Sequence, residues 1–163
     1  MGGFCPVSIQ GDGQDLGEWV EGKEGFQATY DGKLYRFAGA REKSRFLAAP
    51  ERYIPALGGD CVVCHRDLDQ EVQGSIFHAA IYRGRLFLFA DAEQKQAFKQ
   101  DPTVYNLLDL ALAGKCVVSQ REEGKQVDGD ENYCVWYHNR RYLFASPEYR
   151  QKFVATPERY VSP

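Results

Sequence analysis

The chain has 163 residues and a mass of 18.5 kDa, enough for one or two ordinary domains or several very small ones. Its 44% hydrophobic and 13% aromatic content is that of a folded protein, and a net charge of -3 gives no basic field to draw nucleic acid or an anionic membrane. No apolar run approaches the roughly 20 residues a bilayer-spanning helix needs, and five cysteines are too sparse and too odd in number for a disulfide scaffold.

Taken in chain order, the sequence repeats itself. It opens on MGGFCPVS without a signal-peptide pattern. Such a start suits a chain whose leader was removed, so a periplasmic or secreted setting is the expectation. Cys5 heads the first copy, and Val20-x-Gly22 follows after a stretch that carries a four-residue insertion within GDGQDLGE. FQATY-DG-KLYRF then reads as two β-rich runs around a two-residue turn. The next residues, Gly39 and Ala40, suit an N-cap and a first helical turn. Phe46 is the inward residue of a short helix, Pro50 stops it, and Tyr53 closes the copy.

The second copy runs through Cys61, Val72, Gly74, Tyr82, Phe87, Phe89, Asp91, Phe98, Pro102 and Tyr105 at matching spacings. The third runs through Cys116, Val127, Gly129, Tyr137, Tyr142, Phe144, Ser146, Phe153, Pro157 and Tyr160. The second turn position is Gly32, Gly84 or Asn139, the residue types that most easily adopt positive φ. The spacing predicts an α+β fold of three tandem units, residues 1–57, 58–112 and 113–163. Each is a cysteine-bearing turn, short antiparallel strands forming a hairpin, and a short C-terminal helix. Units of this size bury too little surface alone, so the three are expected to pack into one compact chain.

CPVS, CVVC and CVVS as opening turns, and YDGKLYRF, YRGRLFLF and YHNRRYLF as hairpins, resemble the YHS/TRASH-type domain, a small metal-associated module. The resemblance covers nearly the whole chain, three times over, and implies transition-metal binding. One departure matters. Metal-binding members close the site with cysteines just after the hairpin Phe, where this chain has Ala38, Ala90 and Ala145. What remains is Cys5 with Ser8, Cys61 with Cys64, and Cys116 with Ser119.

The best chemical candidates are therefore Cys61 and Cys64, whose C-x-x-C spacing aims two sulfurs at one point. His65 and His78 are the nearest residues to complete a zinc or copper set. Cys5, Cys116, Cys134 and His138 are secondary candidates. His78 shares a repeat column with Phe26 and Tyr133, so a packing role competes with a ligand role. CVVCH also spells a c-type haem attachment through Cys61, Cys64 and His65, and hence electron transfer. Against haem, the third copy carries Gln120 where His65 stands. A redox dithiol is a further option, in a motif that lacks the strand-then-helix setting that lowers a thiol pKa. Cys134 reads as a half-buried thiol and His138 as a solvated turn residue. No nucleophile elbow or phosphate-cradling loop is present, and the acidic residues read as scattered without the period. The reading is a non-enzymatic protein whose expected partners are a metal ion and another protein. Its alternatives are a haem carrier and a scaffold whose metal sites have degenerated.

Overall fold

The computed structural model describes residues 1–161. It is an α+β structure of three similar units, each a two-stranded antiparallel hairpin followed by a helix. In the first, α1 (Pro6–Gln10) precedes β1 (Lys23–Tyr30), β2 (Lys33–Phe37) and α2 (Ala40–Ala48). The second holds α3 (Val62–Asp67), β3 (Ser75–Tyr82), β4 (Arg85–Phe89) and α4 (Ala92–Gln100). The third holds α5 (Val117–Glu123), β5 (Asp130–Tyr137), β6 (Arg140–Phe144), α6 (Pro147–Ala155) and α7 (Glu158–Val161). By contact density the chain divides into two units, Met1–Leu108 with the first two repeats, and a second that begins at Asp109 with the third.

Each hairpin turns on two residues in the left-handed region. The φ values are 47° and 73° at Asp31 and Gly32, 49° and 72° at Arg83 and Gly84, and 50° and 57° at His138 and Asn139. Such turns match the twist of the strands they join. In every copy the register slips at the same place, between Lys23 and Gln27, Ser75 and Ala79, and Asp130 and Cys134. The extra residues on the first strand of each pair are left out of the ladder, as in a bulge.

The cysteine "turn" of the sequence reading is in fact a short helix. Cys5, Cys61 and Cys116 occupy its N-cap with extended backbone. Their N–H groups donate to the carbonyls of Val20, Val72 and Val127 at 2.8, 2.7 and 2.8 Å. One step outward, Gly22, Gly74 and Gly129 donate to Gly3, Gly59 and Gly114 at 2.8, 2.9 and 2.8 Å. These two bonds fasten the start of each unit to the Val-x-Gly segment. They also explain that glycine column. A Cβ on Gly22, Gly74 or Gly129 would meet the Cβ of Arg36, Leu88 or Leu143 at 2.4, 2.6 or 2.4 Å, with the backbone carbonyl carbon of the same residue hardly farther away.

The core of each unit is one helix phenylalanine ringed by the hairpin and the closing tyrosine. Phe98 has Phe87 at 4.8 Å, Phe89 at 4.9 Å, Tyr105 at 5.7 Å and Tyr82 at 6.1 Å between centroids. Phe153 has Tyr142 at 4.9 Å, Phe144 at 5.0 Å, Tyr137 at 5.7 Å and Tyr160 at 6.0 Å. Phe46 repeats the arrangement with Tyr35, Phe37, Tyr30 and Tyr53. All three helix phenylalanines are buried. Burying such a ring contributes about 1.5–3 kcal/mol, and each favourable ring pair adds about 0.5–1.5 kcal/mol.

The prolines do more than end the helices. Pro50 and Pro102 each open a single 3-10 turn, and proline's fixed φ suits that first position. That turn swings Tyr53 or Tyr105 onto the core, and α7 after Pro157 brings Tyr160 in the same way. Within Met1–Leu108, Ile9 of the first repeat packs with Ile76, Ala79, Leu86 and Leu88 of the second. The Gln10 amide donates to the Gly84 carbonyl at 2.5 Å, and the Trp19 indole donates to the Ile76 carbonyl at 2.9 Å. The first two repeats thus pack on each other as expected.

Candidate functional site

The sequence directed attention to the start of α3. Cys61 is its N-cap and is 0% exposed, while Cys64 lies one turn in at 4%. The Cys64 N–H donates to the Cys61 sulfur at 3.5 Å, a cap of the first turn. Both sit in one apolar cluster with Val62, Val63, Phe87, Phe89, Phe98 and Tyr105. Burial is the main force on Cys64, pushing its thiol up to about 11, with the Cys61 hydrogen bond and nearby negative charge, including Asp91, adding to it. No strand feeds α3 directly, in line with the sequence reading, although the motif stands at a helix N-terminus and not on a turn. Desolvation outweighs any help from so short a helix.

The histidines do not gather around this pair. His65 belongs to α3 and is exposed, and its backbone N–H donates to the Cys61 carbonyl at 3.0 Å. His78 is half-buried on β3, within the slipped stretch between Ser75 and Ala79. In the same column Tyr133 packs against the core of the third repeat and Phe26 is half-buried. His138 is exposed at the first turn position of its hairpin, beside the Tyr137 ring at 4.2 Å. Among the described residues, no group of three or more His, Cys, Asp or Glu side chains could hold a metal ion.

The remaining cysteines follow the repeat. Cys5 and Cys116 are 0% exposed N-caps like Cys61. Cys116 packs with Val117, Val118, Phe144 and Phe153. Ser119, in the column of Cys64, is 1% exposed. Cys134 is half-buried on β5, where its carbonyl accepts from the Arg150 guanidinium at 3.1 Å. The closing column of Ala38, Ala90 and Ala145 is half-buried in each copy. Ala90 and Ala145 pack against the clusters that hold Cys61 and Cys116.

Haem fits this site poorly. Thioether attachment needs both sulfurs facing the porphyrin edge with the histidine beside them. Here both sulfurs point into packed phenylalanines and His65 lies at the surface. Zinc fits better in ligand type than in number. The two sulfurs are adjacent, yet a structural zinc takes four ligands.

One periodic polar feature was missed in the sequence. Six residues after the opening cysteine stand Asp67 and Glu122, so the acidic residues are not all scattered without the period. Asp67 accepts from the Tyr105 hydroxyl at 2.7 Å and from Arg66 at 2.7 Å. Glu122 accepts from the Tyr160 hydroxyl at 2.9 Å and from Lys152 at 2.5 Å. These bonds tie the cysteine helix to the closing tyrosine. The Tyr105 hydroxyl holds the Asp67 carboxyl below its usual range, and Arg66 adds to that. In the first copy the column is Gly11, at the insertion, and the tie is absent there.

No family model matches the chain, and no solved structure matches it. Adenylate kinase 9 of Mus musculus is 27% identical to it over 162 residues, which cover 96% of this chain and 7% of the relative. The likeness therefore runs through all three repeats, and the chain spans about 7% of the length of that relative.

Proposed function

We propose that the chain is a non-enzymatic scaffold of three YHS-like repeats, in which the family's metal site has become part of the hydrophobic core. The observation that carries this reading is the shared fate of the opening cysteine. Cys5, Cys61 and Cys116 all occupy a helix N-cap position at 0% exposure within their repeats. A thiol so placed packs as a small hydrophobe. The likeness to a stretch making up 7% of a much larger protein suits a segment that serves assembly.

Protein purified from its native source and melted with and without EDTA tests the reading. Far less than one metal ion per chain and an unchanged Tm are expected. A stoichiometric metal with a chelator-dependent Tm overturns it. The kinase name of the mouse relative is addressed in the same preparation with ATP and AMP. The expected result is no turnover, and turnover that survives further purification refutes the non-enzymatic assignment.

A second reading, metal association at the middle repeat, is favoured by the adjacency of the two sulfurs at Cys61 and Cys64. Two thiolates with no third ligand suit a soft ion such as copper(I) better than zinc. Competitive copper(I) titration checks it. One ion per chain, lost in Cys64→Ser, supports this reading, and equal uptake by the variant rejects it.

A further inference from the structure

We infer that Cys61 and Cys64 are a reversible disulfide site, a covalent latch on the first turn of α3 that the other two repeats lack. It goes beyond the scaffold reading and does not depend on it. Five cysteines are present as free thiols, and these two share the first turn of α3 and one apolar cluster. The Cys61 sulfur already stands 3.5 Å from the Cys64 nitrogen. Ser8 and Ser119 occupy the Cys64 column elsewhere, so the bridge is confined to the middle repeat.

The oxidant is a small-molecule disulfide such as oxidised glutathione. Cys64, the more exposed of the pair, loses its proton to solvent and attacks one sulfur of that disulfide, releasing one small thiolate. Cys61 then loses its proton and attacks the Cys64 sulfur of the mixed disulfide, releasing the second. Two protein thiols and one small disulfide become one protein disulfide and two small thiols. The direction reverses in excess small thiol. Burial and the raised Cys64 pKa make the exchange slow, because only the thiolate attacks. Burial also keeps the paired sulfurs from further oxidation.

The full chain, treated with chelator, is equilibrated in reduced and oxidised glutathione at a series of ratios. Equilibrium is approached from both the reduced and the oxidised side. Samples are acid-quenched, alkylated in denaturant and mapped by mass spectrometry. The expected result is a two-proton mass loss in the peptide carrying Cys61 and Cys64 that grows with oxidised glutathione, from both starting points. Cys5 and Cys116 stay alkylatable, and Cys64→Ser abolishes the loss. The inference is overturned if Cys61 and Cys64 alkylate fully at every ratio. It is equally overturned if Cys64 collects only as a glutathione adduct, or if the mass loss persists in Cys64→Ser.

Discussion

The middle and third repeats use one framework and fill it differently. Cys61 and Cys116 hold the same N-cap, donate to the same valine carbonyl and share a cluster with the same helix phenylalanine column. One turn later the middle repeat has Cys64 and His65 and the third has Ser119 and Gln120. The structure treats each pair alike: Cys64 and Ser119 are buried, and His65 and Gln120 are exposed. The difference teaches that a motif's meaning comes from its place in the fold. CVVCH has the letters of a ligand set, but the helix turns its sulfurs inward and its imidazole outward.

Disturbing both repeats at matching positions sharpens that comparison. The largest effect is expected from the central ring. Phe98→Ala and Phe153→Ala should each cost about 3–5 kcal/mol, read by denaturant unfolding. A small loss in one of them would show that the two cores are not equivalent. Next come the glycines beneath the hairpins. Gly74→Ala and Gly129→Ala place a Cβ against Leu88 and Leu143 backbone and should cost about 1–3 kcal/mol. Gly25→Ala, with nothing within 4 Å of its Cβ, should leave the unfolding midpoint nearly unchanged.

The carboxylate ties come third. Asp67→Asn weakens the bonds to Tyr105 and Arg66 and should cost about 0.5–1 kcal/mol, since that side chain is partly screened by solvent. The same tie has a pH signature. Because the folded Asp67 pKa lies below its unfolded value, its contribution is complete above the ordinary aspartate range near about 3.9. It fades as pH falls through the lower folded value. The acid limb of wild-type stability should therefore be steeper than that of Asp67→Asn. The smallest effect is expected from Ser119→Cys, which writes C-x-x-C into the third repeat. It exchanges one small buried side chain for another and should shift stability by less than about 1.5 kcal/mol. It should not create a chelator-sensitive Tm.

Much of this fold could be read from one sequence because it is stated three times. The hairpin turns, the ringed phenylalanines and the proline that places the closing tyrosine all come from columns whose residue types carry their own conformational preference. Other features depend on partners distant in the chain. Nothing near Gly74 announces that Leu88 backbone will lie against it. Ala79 pairs with Leu88 only because the register slips after Ser75, and this slip leaves His78 in an unpaired stretch. The left-handed backbone at Leu57, Leu112 and Ala113, with φ of 49°, 51° and 50°, runs against the preference of those residues. The Asp67–Tyr105 and Glu122–Tyr160 bonds were visible as a column, but only to a search that paired it with the tyrosine 38 residues on. The site was the least legible part. Spacing showed that two sulfurs share a turn, while burial, which decides their chemistry, belongs to the packed unit.

Counting reactive thiols in the folded chain tests the central claim most directly. A water-soluble alkylating reagent is added to chelator-treated, fully reduced protein at neutral pH, and the modified positions are mapped over time. Half-buried Cys134 should react first, with Cys5, Cys61 and Cys116 protected until denaturant exposes all five thiols. Rapid modification of the three opening cysteines in the folded protein would contradict their role as core caps. So would protection that appears only when a metal ion is added.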